Sequence, residues 1–282
     1  MLQIVLSYYR WDLFRPNMEN LPSDVRQAYH DLADLPKYQH FVRIPDRIIQ
    51  CIDYFGISCD RARARERLHA YYLFIGVVDD AIDSGRTGVG NLILEYLRTP
   101  TPDFDYEARH SSVKLLSEIL KVYISERAYP MILDKLRELY GEVVSELGAT
   151  SVDLYIVHRK SVGALTAEVS YLLIHPDLGH DQPTLCNFMK RVGAIGCLID
   201  SLIDLKKDSR LGLLAFQPGI MDYAKLTVAI LRNGLRVSIK HPRLYGLFFR
   251  AVLDNMRDPF REEPSPRPGS APQRKDKAAS VA

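Results

Sequence analysis

The chain has 282 residues, 47% hydrophobic and 26% charged, which is enough apolar text to bury a sizeable core and excludes global disorder. Lys plus Arg total 37 against 35 Asp plus Glu, and a net charge of +2 argues against the basic footprint that nucleic-acid binding requires. Cys51, Cys59, Cys186 and Cys197 form no CxxC pair, so neither a disulfide scaffold nor a zinc ribbon is expected, and reduced thiols are.

The text then reads as helix after helix, with almost none of the alternation and Asn-Gly or Asp-Gly turns that mark hairpins. A first helix starts at Pro22-Ser23-Asp24 and runs to about Leu35. Ile44 to Tyr54 follows, opened by Pro45, whose fixed φ suits a first helical turn. Arg61 to Asp83 is long, charged in its first half and apolar in its second. Asn91 to Leu97 is short. Glu107 to Ala128 and Met131 to Leu147 carry apolar residues at three- and four-residue spacing, split near Pro130. Asp153 to Ile174 is mostly apolar and stops before Pro176. Leu185 to Lys207 is apolar on most faces, and Tyr223 to Ser238 and Leu244 to Asp258 close the series.

From Pro259 onward Pro, Ser, Arg and Lys dominate, and Phe260 is the only aromatic residue. Such text cannot bury enough surface to order itself, so residues 259–282 are expected to be a disordered Pro-rich tail after one all-helical domain over residues 1–258. No signal-peptide pattern stands at the start. The longest clean apolar run, Ala70 to Val78, is far below the ~20 residues that span a bilayer, so no integral membrane segment and a cytoplasmic location are expected.

Two anomalies carry the functional information. Asp79, Asp80 and Asp83 stand at the C-terminal end of the most apolar helix. Asp79 and Asp83 are one turn apart and share a face. Like charges so placed repel, and the helix macrodipole disfavours anions at that end; each effect is at most ~1 kcal/mol, but both have the wrong sign. The second anomaly is Asp200, Asp204 and Asp208, spaced i, i+4, i+8 as one stripe. Asp200 and Asp204 lie in otherwise apolar text, where unpaired carboxylates are costly. Gly193 and Gly196 remove side chains one to two turns upstream and open room beside that helix. Cations would relieve both sites, and carboxylate oxygens are the ligands Mg²⁺ prefers.

Two such helices facing each other can hold a cluster of several Mg²⁺ ions that binds a diphosphate and neutralises it as a leaving group. Ionisation of an allylic diphosphate then becomes feasible inside an apolar cavity. Tyr71, Tyr72, Phe74, Tyr171 and Phe188 lie on the relevant helices as core residues or as ring faces for a carbocation. Arg159, Lys160, Lys207 and Arg210 are the cations available to grip a diphosphate. The plainer alternative is a non-catalytic helical scaffold with solvated acidic faces. A carboxylate-bridged metal oxidase would need facing Glu-x-x-His pairs; Glu66–His69 and Glu107–His110 have that spacing, but neither belongs to the two aspartate clusters.

In three stretches the chain resembles the class I isoprenoid (terpene) synthase superfamily, nearest the squalene/phytoene synthase group. Asp79-Asp80-Ala81-Ile82-Asp83 is similar to its first aspartate-rich motif. Val162-Gly163-Ala164-Leu165-Thr166-Ala167-Glu168 is similar to its small-residue segment at a helix kink. Asp200-Ser201-Leu202-Ile203-Asp204 is similar to its second acidic motif, about 120 residues further on. The resemblance implies a single helical bundle around a central cavity, Mg²⁺ held by Asp79, Asp80, Asp83, Asp200, Asp204 and Asp208, and a prenyl diphosphate substrate. It further implies substrate contacts from Arg159, Lys207, Arg210, Tyr72, Phe74, Gly163, Tyr171 and Gly196. Glu168 is either an extra ligand or structural. The Asn-x-x-Arg-Asp run that leads into the second motif of condensing members is replaced by Cys197-Leu198-Ile199-Asp200. The expectation is therefore a one-substrate terpene synthase, with a prenyltransferase condensing two diphosphates as the alternative. The sequence leaves a homodimer open.

Overall fold

The computed structural model describes residues 16–85, 88–105 and 111–242. Among them every regular element is helical. The helices are α1 (Ser23–Ala33), α2 (Gln39–Tyr54), α3 (Arg61–Asp83), α4 (Val89–Tyr96), α5 (Ser112–Tyr123), α6 (Tyr129–Leu147), α7 (Val152–Ile174), α8 (Pro183–Leu211) and α9 (Ile220–Lys240). Short 3₁₀ turns at Pro36–Tyr38 and His175–Asp177 precede α2 and follow α7. The expected helix Leu244–Asp258 and the tail from Pro259 lie outside the described residues. No described helix is long and apolar enough to cross a membrane.

Local chemistry explains most boundaries. Asp60 caps α3 by accepting from the Arg63 N–H at 3.2 Å, and Ser151 caps α7 by accepting from the Leu154 N–H. Pro130 and Pro183 sit in the first turns of α6 and α8, where a missing N–H costs nothing. The two helices that carry the acidic clusters both run out into glycines with left-handed backbone, Gly85 (φ +78°) and Gly212 (φ +73°). α2 starts five residues before the position expected from Pro45. The proline lies inside it, at the loss of one ladder bond, because the 3₁₀ turn feeds the chain directly into helical geometry.

α7 and α8 form the most extensive pairing, and α6 packs on α7. α3 lies against α2, α5 and α7, and α9 covers α8. The main core is built on fully buried Tyr29, Leu68, Tyr71, Leu73, Leu116 and Ile119. A smaller core around Tyr155, Leu198, Leu205 and Leu226 joins α7, α8 and α9. α5 contributes a buried ion pair, Lys121 Nζ to Glu118 Oε1 at 2.9 Å. Glu118 also accepts the Asp103 N–H at 2.6 Å and ties the preceding loop to the bundle.

Candidate functional site

The acid-bearing ends of α3 and α8 meet because α7 brings them together. Ser170 Oγ donates to the Tyr72 hydroxyl at 3.1 Å, which fixes α7 against α3. Lys190 Nζ on Glu168 at 2.8 Å and Arg159 Nε on Ser201 Oγ at 2.7 Å fix α7 antiparallel to α8. Between these two links the backbones touch. A Cβ added to Gly163 would lie 2.3 Å from the Gly193 carbonyl oxygen. Gly163 is therefore a helix-crossing residue in the α7–α8 seam. One turn further along α8, Gly196 is exposed, and a Cβ there would meet nothing within 4 Å. Gly193 therefore does not open room beside α8, contrary to expectation, because it closes the seam against Gly163; Gly196 does face free space.

Five of the six aspartates come together. Asp79 titrates at about 7; desolvation by the surrounding protein is the main cause, followed by repulsion from Asp83, with Arg159 opposing and Asp200 adding to the rise. Asp208 is pushed to about 6 by desolvation and by Asp204 and Asp83. Asp83 and Asp204 are also raised by desolvation; Lys207 and Arg159 pull Asp83 back, and Asp200 pushes Asp204 further. Asp79 is nevertheless accessible to solvent. Its carboxyl therefore reaches water while the protein around it and the neighbouring acids still raise its pKa.

Asp80 turns elsewhere. Its Oδ2 accepts from Lys37 Nζ at 2.7 Å and from the Tyr38 hydroxyl at 3.2 Å, so the 3₁₀ turn before α2 occupies it, although it still raises Asp83. Arg159 is beside the acids, tied to Ser201 and, through Nη1, to Glu146 at 3.3 Å. Lys207 is exposed, is felt by Asp83, Asp204 and Asp208, and makes no ion pair among the described residues. Arg210 lies apart, lining a cleft of about 540 Å³ with Lys206, Ser209, Pro218 and Tyr223. Tyr72, Phe74 and Tyr171 are buried core residues. Tyr171 stands twelve residues along α7 from Arg159, where its hydroxyl donates to Asp181 Oδ1 and accepts the Gln182 N–H.

Glu146 is the acid that the sequence patterns missed. It ends α6, is raised by desolvation, and faces Arg159 and Asp83. It has no helical partner stripe, but it is an anion at a helix C-terminus, the same macrodipole anomaly that marks Asp79 to Asp83. Cys197 also joins the site: its thiol, beside Arg159 and Asp200, is pushed up to about 11 by burial.

Among the described residues no three His, Cys, Asp or Glu side chains are grouped to cage one metal ion. The donor set itself is all hard carboxylate oxygen on two helices. That suits Mg²⁺, which keeps several waters and is held by one or two carboxylates together with phosphate oxygens. No protein-family model, curated protein or solved structure matches the chain.

Proposed function

We propose that the protein is a Mg²⁺-dependent class I isoprenoid synthase that ionises an allylic prenyl diphosphate and cyclises it or eliminates from it. The observation that carries this reading is the set of five carboxylates from α3 and α8 close enough to raise one another, with Asp79 solvent-accessible and strongly raised in pKa. An acidic surface with only a structural role would spread its charges into water. Here Asp79, Asp83, Asp200, Asp204 and Asp208 are held together at an electrostatic cost that bound cations relieve.

Asp79 and Asp83 on one side and Asp200, Asp204 and Asp208 on the other are the residues that would hold Mg²⁺. Mg²⁺ bound there supplies charge neutralisation for the diphosphate leaving group. Lys207, exposed and unpaired among the described residues, is placed to contact the diphosphate directly. Arg159, clamped by Ser201 and Glu146, keeps a fixed positive charge beside the acids and orients α7 against α8. Gly196 leaves open the space that a substrate needs beside α8. No side chain has to act as a base at the ionisation step, which agrees with His158 being paired with Glu142 at 2.8 Å.

The test is thermal. Mg²⁺ together with inorganic pyrophosphate should raise the melting temperature by several degrees, while either alone should do much less, because a ligand that binds only the folded state stabilises it by mass action. The absence of a shift with both present would favour a non-catalytic scaffold.

A further inference from the structure

α9 has two apolar faces. Leu226 and Val237 point inward and are buried, with Tyr223 and Ile230 packed beside them on the smaller core. On the other side Met221, Val228, Leu231, Leu235 and Ile239 are 70%, 61%, 59%, 55% and 78% exposed. At ~100° per residue these five fall within roughly a 100° arc, a continuous stripe along the whole helix. Scattered exposed apolar residues are ordinary, but a stripe of five that no described residue covers is an interaction surface.

Charge selects the occupant. Arg232, Arg236 and Lys240 run along one edge of the stripe, all exposed, and none forms an ion pair among the described residues. Lys225, on the same edge, is held by Asp153 at 2.6 Å. A second copy laid antiparallel on the stripe would bring this basic edge against its own counterpart, and like-charge juxtaposition disfavours that pairing. A negatively charged lipid surface satisfies both features at once: the stripe enters the headgroup boundary while the cations meet anionic headgroups. We propose that α9 docks the protein in-plane on an anionic membrane surface.

The experiment is co-sedimentation of the full-length chain with lipid vesicles. Vesicles of phosphatidylcholine with about one third phosphatidylserine should bind the protein at least ~10-fold more tightly than pure phosphatidylcholine, and high salt should release it. The double variant Leu231→Glu/Leu235→Glu, at exposed positions, should lose ~10-fold or more of this binding with unchanged helical circular dichroism. Arg232→Glu/Arg236→Glu should weaken binding to the anionic vesicles alone. The inference is overturned by any of three results: no preference for the anionic vesicles; binding that survives Leu231→Glu/Leu235→Glu; or a dimer in sedimentation equilibrium that this variant dissociates, which would assign the stripe to a second copy.

Discussion

Gly163 and Gly193 meet backbone to backbone: a Cβ on either one would fall 2.3 Å from the carbonyl oxygen of the other. This contact lets α7 and α8 approach closely enough for Arg159 to reach Ser201 and stand beside both acidic clusters. Backbone cannot rotate out of the way, so Gly163→Ala or Gly193→Ala must push the helices apart. We expect a loss of about 1–3 kcal/mol in denaturant unfolding, against a helix-propensity gain of at most ~1 kcal/mol. Gly196→Ala, with open space around it, should keep or slightly raise stability. Equal effects at all three glycines would show that the crossing is not what sets the spacing.

The raised carboxylates make a prediction about pH. Asp79 titrates at about 7 in the folded chain and near ~4 when unfolded, so the folded state holds a proton that the unfolded state has lost between those values. The penalty from this group is absent below about pH 4, grows as pH rises, and is complete above about 7. Asp79→Asn should therefore raise the metal-free melting temperature at pH 8, with the gain fading to nothing near pH 4. The same variant should lose the stabilisation by Mg²⁺ and pyrophosphate. A gain independent of pH would mean that the carboxyl is not desolvated.

Asp80 and its neighbours should separate in function. Asp79→Ala, Asp83→Ala and Asp204→Ala should each weaken Mg²⁺-pyrophosphate binding at least ~10-fold, a loss of ~1.4 kcal/mol or more. Asp80→Ala should weaken it less, because that carboxylate is spent on Lys37 and Tyr38. Lys37→Ala should cost under ~1 kcal/mol of stability, since both partners of the pair are half-exposed. Titration calorimetry across the four aspartate variants gives the order directly.

Away from the site, Glu118 and Lys121 form a pair whose side chains are each 3% exposed. Glu118→Ala leaves a buried ammonium uncompensated and should cost about 3–5 kcal/mol, whereas Glu118→Leu with Lys121→Met together should cost far less. Urea unfolding of the single and double variants decides between a paired charge and simple packing.

The long helices were legible from periodicity and from their stops. Arg61–Asp83 is bounded where the sequence marks it, because Asp60 caps one end and Ser84-Gly85 closes the other. α8 extends past the expected Leu185–Lys207 to Pro183–Leu211, and both true ends carry the expected signals, a proline in the first turn and a glycine just beyond the last. α5 stops at Tyr123, before the expected Ala128, because Ile124 turns extended (ψ 124°), a break that its apolar periodicity hides; the expected start at Glu107 lies outside the described residues. In the site, the i, i+4, i+8 stripe marked Asp200, Asp204 and Asp208 correctly as one face. Partners distant in sequence were not legible. Nothing near Asp80 announces Lys37, and nothing in the glycine spacing tells Gly193, which closes the seam against Gly163, from Gly196, which faces free space.

The most direct test of the central claim is turnover. The purified chain, incubated with Mg²⁺ and ten-, fifteen- and twenty-carbon prenyl diphosphates in turn, should release pyrophosphate from at least one. The accompanying hydrocarbon or alcohol should have the carbon count of its substrate, and Asp83→Ala or Asp204→Ala should abolish the release. A product with a larger carbon count would replace cyclisation by condensation. Failure to turn over any of the three, with both variants indistinguishable from the parent in Mg²⁺-pyrophosphate binding, would contradict the account.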